Sequence, residues 1–172
     1  MNPSNSPALP GRVASLHLHP PVAGAPLHSL EFIDAVAGKG ILGNPRYFER
    51  VSRTTQQPSR RQVSLIEREQ IGEHAATLGL KSIPPGAVRA NIETLGVNLI
   101  ALIGQQIQIG EAILLFYEGR TPCSKMDDIC AGLRALMADN RQGVMAEVIE
   151  SGRIHVGDSI RPVEFLAARL SS

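Results

Sequence analysis

Cysteine is scarce: the 172 residues hold two, Cys123 and Cys130. Two thiols separated by six residues make neither a disulfide framework nor a tetrahedral zinc site, supply no Fe–S ligand set, and suit a reducing compartment. Lysine is nearly as rare. Only three of the 17 cationic side chains are Lys, so positive charge is carried mostly by planar Arg forks that bind carboxylate or phosphate in a bidentate way, although GC-rich codon use produces the same bias. A net charge of +1 gives no global reason to expect nucleic acid or an acidic membrane as partner. No apolar run approaches the roughly 20 residues that cross a bilayer. Residues 1–10 have no cationic n-region and no apolar h-region and are rich in Pro, Ser and Asn, the composition of a disordered lead-in. The remainder, residues 11–172, has room for one domain with a substantial core. A soluble, cytoplasmic protein is expected.

What is present reads as many short strands with Gly-rich turns and two inserted helices, the pattern of a mostly β fold and a closed or nearly closed β-barrel. Residues 12–19 alternate, with Ala14, Leu16 and Leu18 on one side and Ser15, His17 and His19 on the other. The two histidines are a metal pair on geometry alone, but no Asp, Glu or Cys nearby completes a site, so they are read as surface histidines. A strand over residues 29–36 leads into Gly38-Lys39-Gly40-Ile41-Leu42-Gly43, where main-chain N–H groups can approach an anion. No Lys-Ser or Lys-Thr follows, which excludes a P-loop. Residues 44–62 then carry Arg46, Arg50, Arg53, Arg60 and Arg61 on a long polar segment, read as an anion-binding lid rather than a solvated loop. A strand from Gln62 runs into a helix of about residues 65–78, with Ser64 and Glu67 as a capping box and Gly79 as its stop. Residues 88–92 read as extended, which puts Arg89 and Asn91 on one face. Residues 106–109 alternate, and 112–117 are nearly continuously apolar, as in a strand covered on both sides. Residues 143–149 and 154–156 are predicted to pair as a hairpin, followed by an extended piece to Val163 and a C-terminal helical segment.

The chemistry concentrates at Arg120-Thr121-Pro122-Cys123-Ser124-Lys125. A free thiol is mostly neutral at pH 7, and a helix N-terminus and nearby cations favour its thiolate. Here Cys123 stands between two cations, behind a stiffening proline, at the predicted start of a helix that Ser124 caps with Asp127. The alternative is a packed Cys, since free cysteines are often buried as small hydrophobes. Cys130 fits that alternative: it shares a helical stripe with Ile129, Leu133, Leu136 and Met137.

The order Arg61-Gln62-Val63-Ser64-Leu65-Ile66, Pro85-Gly86, Arg89-Ala90-Asn91-Ile92, Gly96-Val97-Asn98-Leu99, Gly104, Ile109-Gly110, Arg120-Thr121-Pro122-Cys123, Gly143 and Gly157-Asp158 resembles the MOSC domain, the C-terminal domain of molybdenum cofactor sulfurases, which also occurs as small stand-alone proteins. The resemblance implies a β-barrel that handles the molybdenum cofactor, molybdopterin with its metal, or a sulfur atom bound for it. It implies that Cys123 carries sulfane sulfur or serves as the thiolate ligand of the metal. It makes Arg89, Asn91 and Arg120 matches to the family's polar positions. Arg61, Arg46, Gly43 and Asn44 complete the expected cofactor-binding set, where relatives commonly have Gly-Asp in place of Gly43-Asn44. Sulfurases take sulfur from cysteine with a pyridoxal phosphate domain that this chain has no room for, so pyridoxal phosphate chemistry is expected only in a partner, a cysteine desulfurase-type sulfur donor. Two further readings stay open: a molybdenum-dependent reductase of N-hydroxylated compounds fed by a partner reductase, and a non-enzymatic barrel that binds a small anion.

Overall fold

The computed structural model describes residues 10–163. The expected lead-in, apart from Pro10, and the expected C-terminal helical segment lie outside the described residues. In chain order the elements are β1 (Gly11–Leu18), β2 (His28–Leu30), β3 (Phe32–Val36), β4 (Gly40–Ile41), β5 (Val63–Glu67), α1 (Arg68–Thr77), β6 (Ile92–Leu95), a 3₁₀ turn (Ile100–Leu102), β7 (Gln106–Ile109), β8 (Ala112–Gly119), α2 (Lys125–Ile129), α3 (Leu133–Leu136), β9 (Val144–Glu150), β10 (Gly152–His155) and β11 (Ser159–Pro162).

Seven strands close into a barrel, because β11 pairs with β7 on one side and with β1 on the other in the ring β1-β6-β5-β9-β8-β7-β11. All neighbours are antiparallel except β5 and β6, which run parallel with Leu65 opposite Ile92, their crossover made by α1 and the loop after it. β2 lies outside the ring on β1, and β3, β4 and β10 form a separate small sheet. Closure removes sheet edges from the barrel and fills its interior with one side chain in two from each strand. Val13, Leu16, Leu65, Ile92, Ile107, Ile109, Leu114, Phe116, Val144, Ala146 and Ile160 form this core. A second cluster, Ile66, Ile71, Ala75, Val88, Met126, Leu133 and Met137, packs the helices onto the barrel wall.

Several sequence expectations change here. The alternation of β1 is broken by a bulge between Val13 and Ser15, so Val13 and Leu16 face the core and Ala14 does not share that burial. The strand covered on both sides is β5, not β8: Leu65 enters the barrel while Ile66 meets the helices, whereas β8 alternates buried and half-buried. The capping box before α1 does not form. Ser64 is inside β5, the N-cap is Glu67 without a side-chain bond, and helix starts only at Arg68. Gly79, at φ +71°, does stop that helix. The predicted hairpin is absent as well, since β10 turns away from β9 and pairs with β3, Arg153 opposite Asp34. The turn between them is held down because Gly152 lies directly on the backbone of Glu111, where no side chain fits.

The helix predicted after Cys123 is two short pieces. Gly132 adopts φ +93° and interrupts it, and Asp127 Oδ1 accepts the N–H groups of Gly132 (3.2 Å) and Arg134 (3.0 Å). Asp127 thus caps the second piece, while Ser124 makes no side-chain cap to the first. Cys130 leaves the core stripe: it is the extended C-cap of α2 and only half-buried. No helix among the described residues is long and apolar enough to cross a membrane.

Candidate functional site

β8 ends at Gly119 and the chain leaves the barrel as Arg120-Thr121-Pro122-Cys123. The Arg120 N–H donates to Gly143 O (2.9 Å), which ties this segment to the start of β9. Its guanidinium turns inward, Nη1 donating to Gln142 O (3.3 Å) and Nη2 to Val88 O (3.4 Å). Both acceptors are neutral carbonyls. Burial, helped by the charges of Arg46 and Arg61, pulls Arg120 down to about 10 against the upward pull of Tyr47 and Cys123. Pro122 restricts the backbone before Cys123, whose carbonyl accepts the Met126 N–H (3.1 Å) and whose thiol is exposed. With α2 only five residues long, the helix contributes little field at the thiol, and the cations around it carry that part.

Those cations come from four segments. Cys123 opens into a hollow of about 90 Å³ lined by Arg46 and Arg61 of the segment between β4 and β5, Arg89, Arg120 and Lys125. Among the described residues none of these five pairs with a carboxylate; the Arg residues that do, Arg60 to Glu147, Arg68 to Glu93 and Arg153 to Asp34, lie elsewhere. The hollow is smaller than the several hundred Å³ of an ordinary ligand site. It adjoins one of about 300 Å³ that shares His19, Arg46, Arg89 and Lys125 with it, and one of about 500 Å³ that shares Arg46, Tyr47 and Arg61. Arg46 lines all three, so a ligand too large for the hollow at Cys123 would find room beside it.

The expected extended run through Arg89 is corrected. Arg89 sits at φ +64°, and its N–H donates to Gly86 O (3.0 Å), so the chain turns there instead of running straight. A left-handed non-glycine residue costs on the order of 1 kcal/mol and clusters at functional positions. The turn aims Arg89 at the hollow, with Nη1 donating to Ala25 O (2.9 Å) and Nε buried without a partner. Burial lowers its affinity for the proton, with the Arg46 charge acting the same way. Asn91, two residues on, does not share its face. Its Oδ1 accepts from Ser64 N (3.1 Å) and Ser64 Oγ (3.1 Å) while its Nδ2 donates to His17 O (3.1 Å). Asn91 is spent on locking β1, β5 and β6 together and does not line the hollow.

The reading of His17 and His19 as surface histidines is overturned, since they are 1% and 4% exposed. β2 covers the first and the glycine-rich turn the second. Gly43 takes φ +81° to turn Asn44 inward, where its Oδ1 accepts the His19 N–H (2.9 Å) and lies 3.1 Å from His19 Nδ1. A backbone N–H can only donate, so the atom facing it is the amide oxygen, and Nδ1 must carry the ring proton. The bare Nε2 is left for the hollow. Asn44 thus gives His19 the acceptor that an Asp would, without adding a negative charge. Its Nδ2 stays buried without a partner among the described residues, behind His19, as does Gln142 Oε1, which lines the hollow.

Burial, reinforced by Arg46, Arg89 and Arg120, lowers His19 to about 4 against the Asn44 hydrogen bond. The unfolded chain, with an ordinary histidine near 6.5, binds this proton first as pH falls. Stability from neutral His19 is full above about pH 6.5 and drains away down to about pH 4, an effect of about 1–3 kcal/mol. Denaturant unfolding across that window should show the loss, and His19→Gln should flatten it. An equal slope in the variant would place the effect elsewhere.

His19, Tyr47 and Gln142 are not marked for this site by the sequence, whereas Lys125 is, as one of the two cations that flank the thiol. Tyr47 could have been, because it lies inside the Arg-rich segment; its ring meets His19 edge-on at 5.5 Å. Gln142 carries no local pattern that marks it. Conversely, Arg53 and Arg60 of the proposed lid do not reach Cys123, and Arg60 stacks on Tyr117 (4.2 Å).

A model of the MOSC domain family matches residues 34–161. No curated protein matches the chain. Among solved structures, the YUAD protein of Bacillus subtilis superposes with a TM-score of 0.74 at 20% identity, over 88% of this chain and 94% of that one. YiiM of Geobacillus stearothermophilus gives 0.68 at 17% identity, over 90% and 76%. YiiM of Escherichia coli gives 0.63 at 16%, over 89% and 70%. At these identities the structures speak to the fold alone.

Proposed function

The chain belongs to the MOSC domain family, and from that premise we propose that its Arg-lined hollow binds the molybdenum cofactor, with Cys123 presenting a thiolate to the metal or to a transferable sulfur. One observation carries the reading: five cations surround an exposed thiol with, among the described residues, no carboxylate paired to them. Arg89 and Arg120 are partly buried, so their charge without a counter-charge is a standing cost that an anionic ligand removes, while exposed Arg46, Arg61 and Lys125 add attraction and charge-assisted hydrogen bonds at the rim. The residues present fit the cofactor. Arg46, Arg61 and Arg89 would hold its phosphate, Arg89 Nε is an unused donor, Gln142 Oε1 is an unused acceptor, and Cys123 is a soft ligand. When bound, the group supplies a metal centre capable of two-electron chemistry. The chain's own part is to fix the anion, exclude acid groups, and hold the thiol at the mouth of the hollow.

Protein expressed in a host that makes the cofactor should contain molybdenum or sulfane sulfur, and Cys123→Ser should lose about 90% of whichever is present. Iodoacetamide should reach Cys123 before the half-buried Cys130, and bound cofactor should protect it. Unchanged molybdenum and sulfur in the serine variant would sink the proposal. If the loaded protein, given a partner reductase, turns over a hydroxylamine, the same site serves reduction of N-hydroxylated compounds; without turnover it serves carriage.

A further inference from the structure

A second chain of polar groups lies outside the Cys123 hollow. Glu93 is fully buried on β6. Its Oε2 accepts from Arg68 Nη1 (3.0 Å) and Ser15 Oγ (3.1 Å), and its Oε1 accepts the Gly86 N–H (3.0 Å). Ser15 has one proton and gives it to this carboxylate, so its oxygen can only accept from His17 Nε2, 2.8 Å away. His17 is thereby fixed as the Nε2–H form, and its bare Nδ1 faces Ser29 Oγ at 3.2 Å. Ser29 is exposed on β2, directly across from His17 in the β1–β2 register.

The backbone adds one more element. The His17 N–H donates to Asn91 O and the His17 carbonyl accepts from Asn91 Nδ2, so both point toward β6. His17 and Ser29 are therefore a non-hydrogen-bonded antiparallel pair, with side chains close and the Ser29 N–H directed to the free outer edge of β2. A serine beside a bare imidazole nitrogen, an acid orienting that imidazole through one hydroxyl, and a serine N–H that no described residue uses are the parts of an activated nucleophile.

We propose that Ser29 is a second reactive centre, a serine nucleophile that takes acyl groups from small activated esters, with His17 as its general base and Ser15 and Glu93 as positioning residues. Ser29 Oγ bonds to the ester carbonyl carbon as its proton passes to His17 Nδ1, and the oxyanion faces the Ser29 N–H. The carbon–oxygen bond to the leaving alcohol then breaks, and His17 returns the proton to that alcohol. Water repeats the sequence, releasing the carboxylic acid and restoring Ser29. The open position of β2 admits acyl donors without a deep pocket. Burial disfavours protonated His17, which keeps the base free at neutral pH.

A fluorophosphonate probe, which marks activated serines and spares thiols, tests this by peptide mapping. Ser29 should be labelled about tenfold or more faster than the exposed Ser124, with the phosphorus–fluorine bond broken and fluoride released. The advantage should vanish in His17→Gln and in urea-unfolded wild-type protein, which also decides the matter if that variant does not fold. Labelling of Ser29 no faster than Ser124, or a rate unchanged in the folded His17→Gln variant or in urea, would overturn the proposal.

Discussion

Gly143→Ala is expected to prevent folding, at a cost above about 4 kcal/mol. Gly143 adopts φ +79° immediately before β9, and a Cβ there would run into Leu65 O and lie 2.8 Å from Ile66 Cα. Neither obstacle can yield. Leu65 stands between Val144 on one side and Ile92 on the other, so moving its carbonyl pulls on both β5 pairings at once. The same glycine supplies the carbonyl that holds Arg120, which joins barrel closure to the placement of the thiol segment. Gly157→Ala is the control. Its φ is +89° but nothing lies within 4 Å of an added Cβ, so only the left-handed backbone is penalised, by about 1 kcal/mol. Soluble Gly143→Ala protein melting within a few degrees of Gly157→Ala would show that the steric argument is wrong.

Arg46→Gln with Arg61→Gln should weaken oxyanion binding about 100-fold or more. These two are the informative pair because neither guanidinium makes a described hydrogen bond to the protein, whereas Arg120 and Arg89 hold carbonyls whose loss would confuse affinity with folding. A charge-assisted hydrogen bond is worth about 1.5–3 kcal/mol, so two of them reach that factor. Titration with inorganic pyrophosphate or molybdate, monitored by calorimetry, measures it. The affinity of the wild type should fall with added salt, and the double variant should show a smaller salt dependence. Arg12→Gln removes an exposed cation on β1 away from the hollow and should change nothing. Equal losses in Arg12→Gln would mean that net charge, not this cluster, attracts the anion.

The barrel and the thiol segment were legible in the chain for physical reasons that differ. Short alternating runs between glycine turns leave few ways to bury their apolar faces, and ring closure is one of them. Arg120, Pro122 and Cys123 act through adjacency, which sequence displays directly. Arg89 and Asn91 show the limit. Spacing by two puts residues on one face only if the backbone is extended, and a left-handed Arg89 cancels that premise. The long helix after Cys123 failed in a similar way, because its apolar period continues across Gly132 while the backbone does not.

Cys123 therefore stood out in the sequence, but its surroundings did not. Sequence by itself determined the strands, the turn glycines, the scarcity of soft ligands and the one thiol set among cations, all consequences of local order. Tertiary structure decided which residues share space. It buried His17 under Ser29 and His19 under Asn44, drew Arg46, Arg61, Arg89 and Lys125 around one hollow, and placed no carboxylate of the described residues in its lining. Burial and charge depend on groups tens of residues distant, and no local pattern encodes what will cover a side chain once the barrel closes.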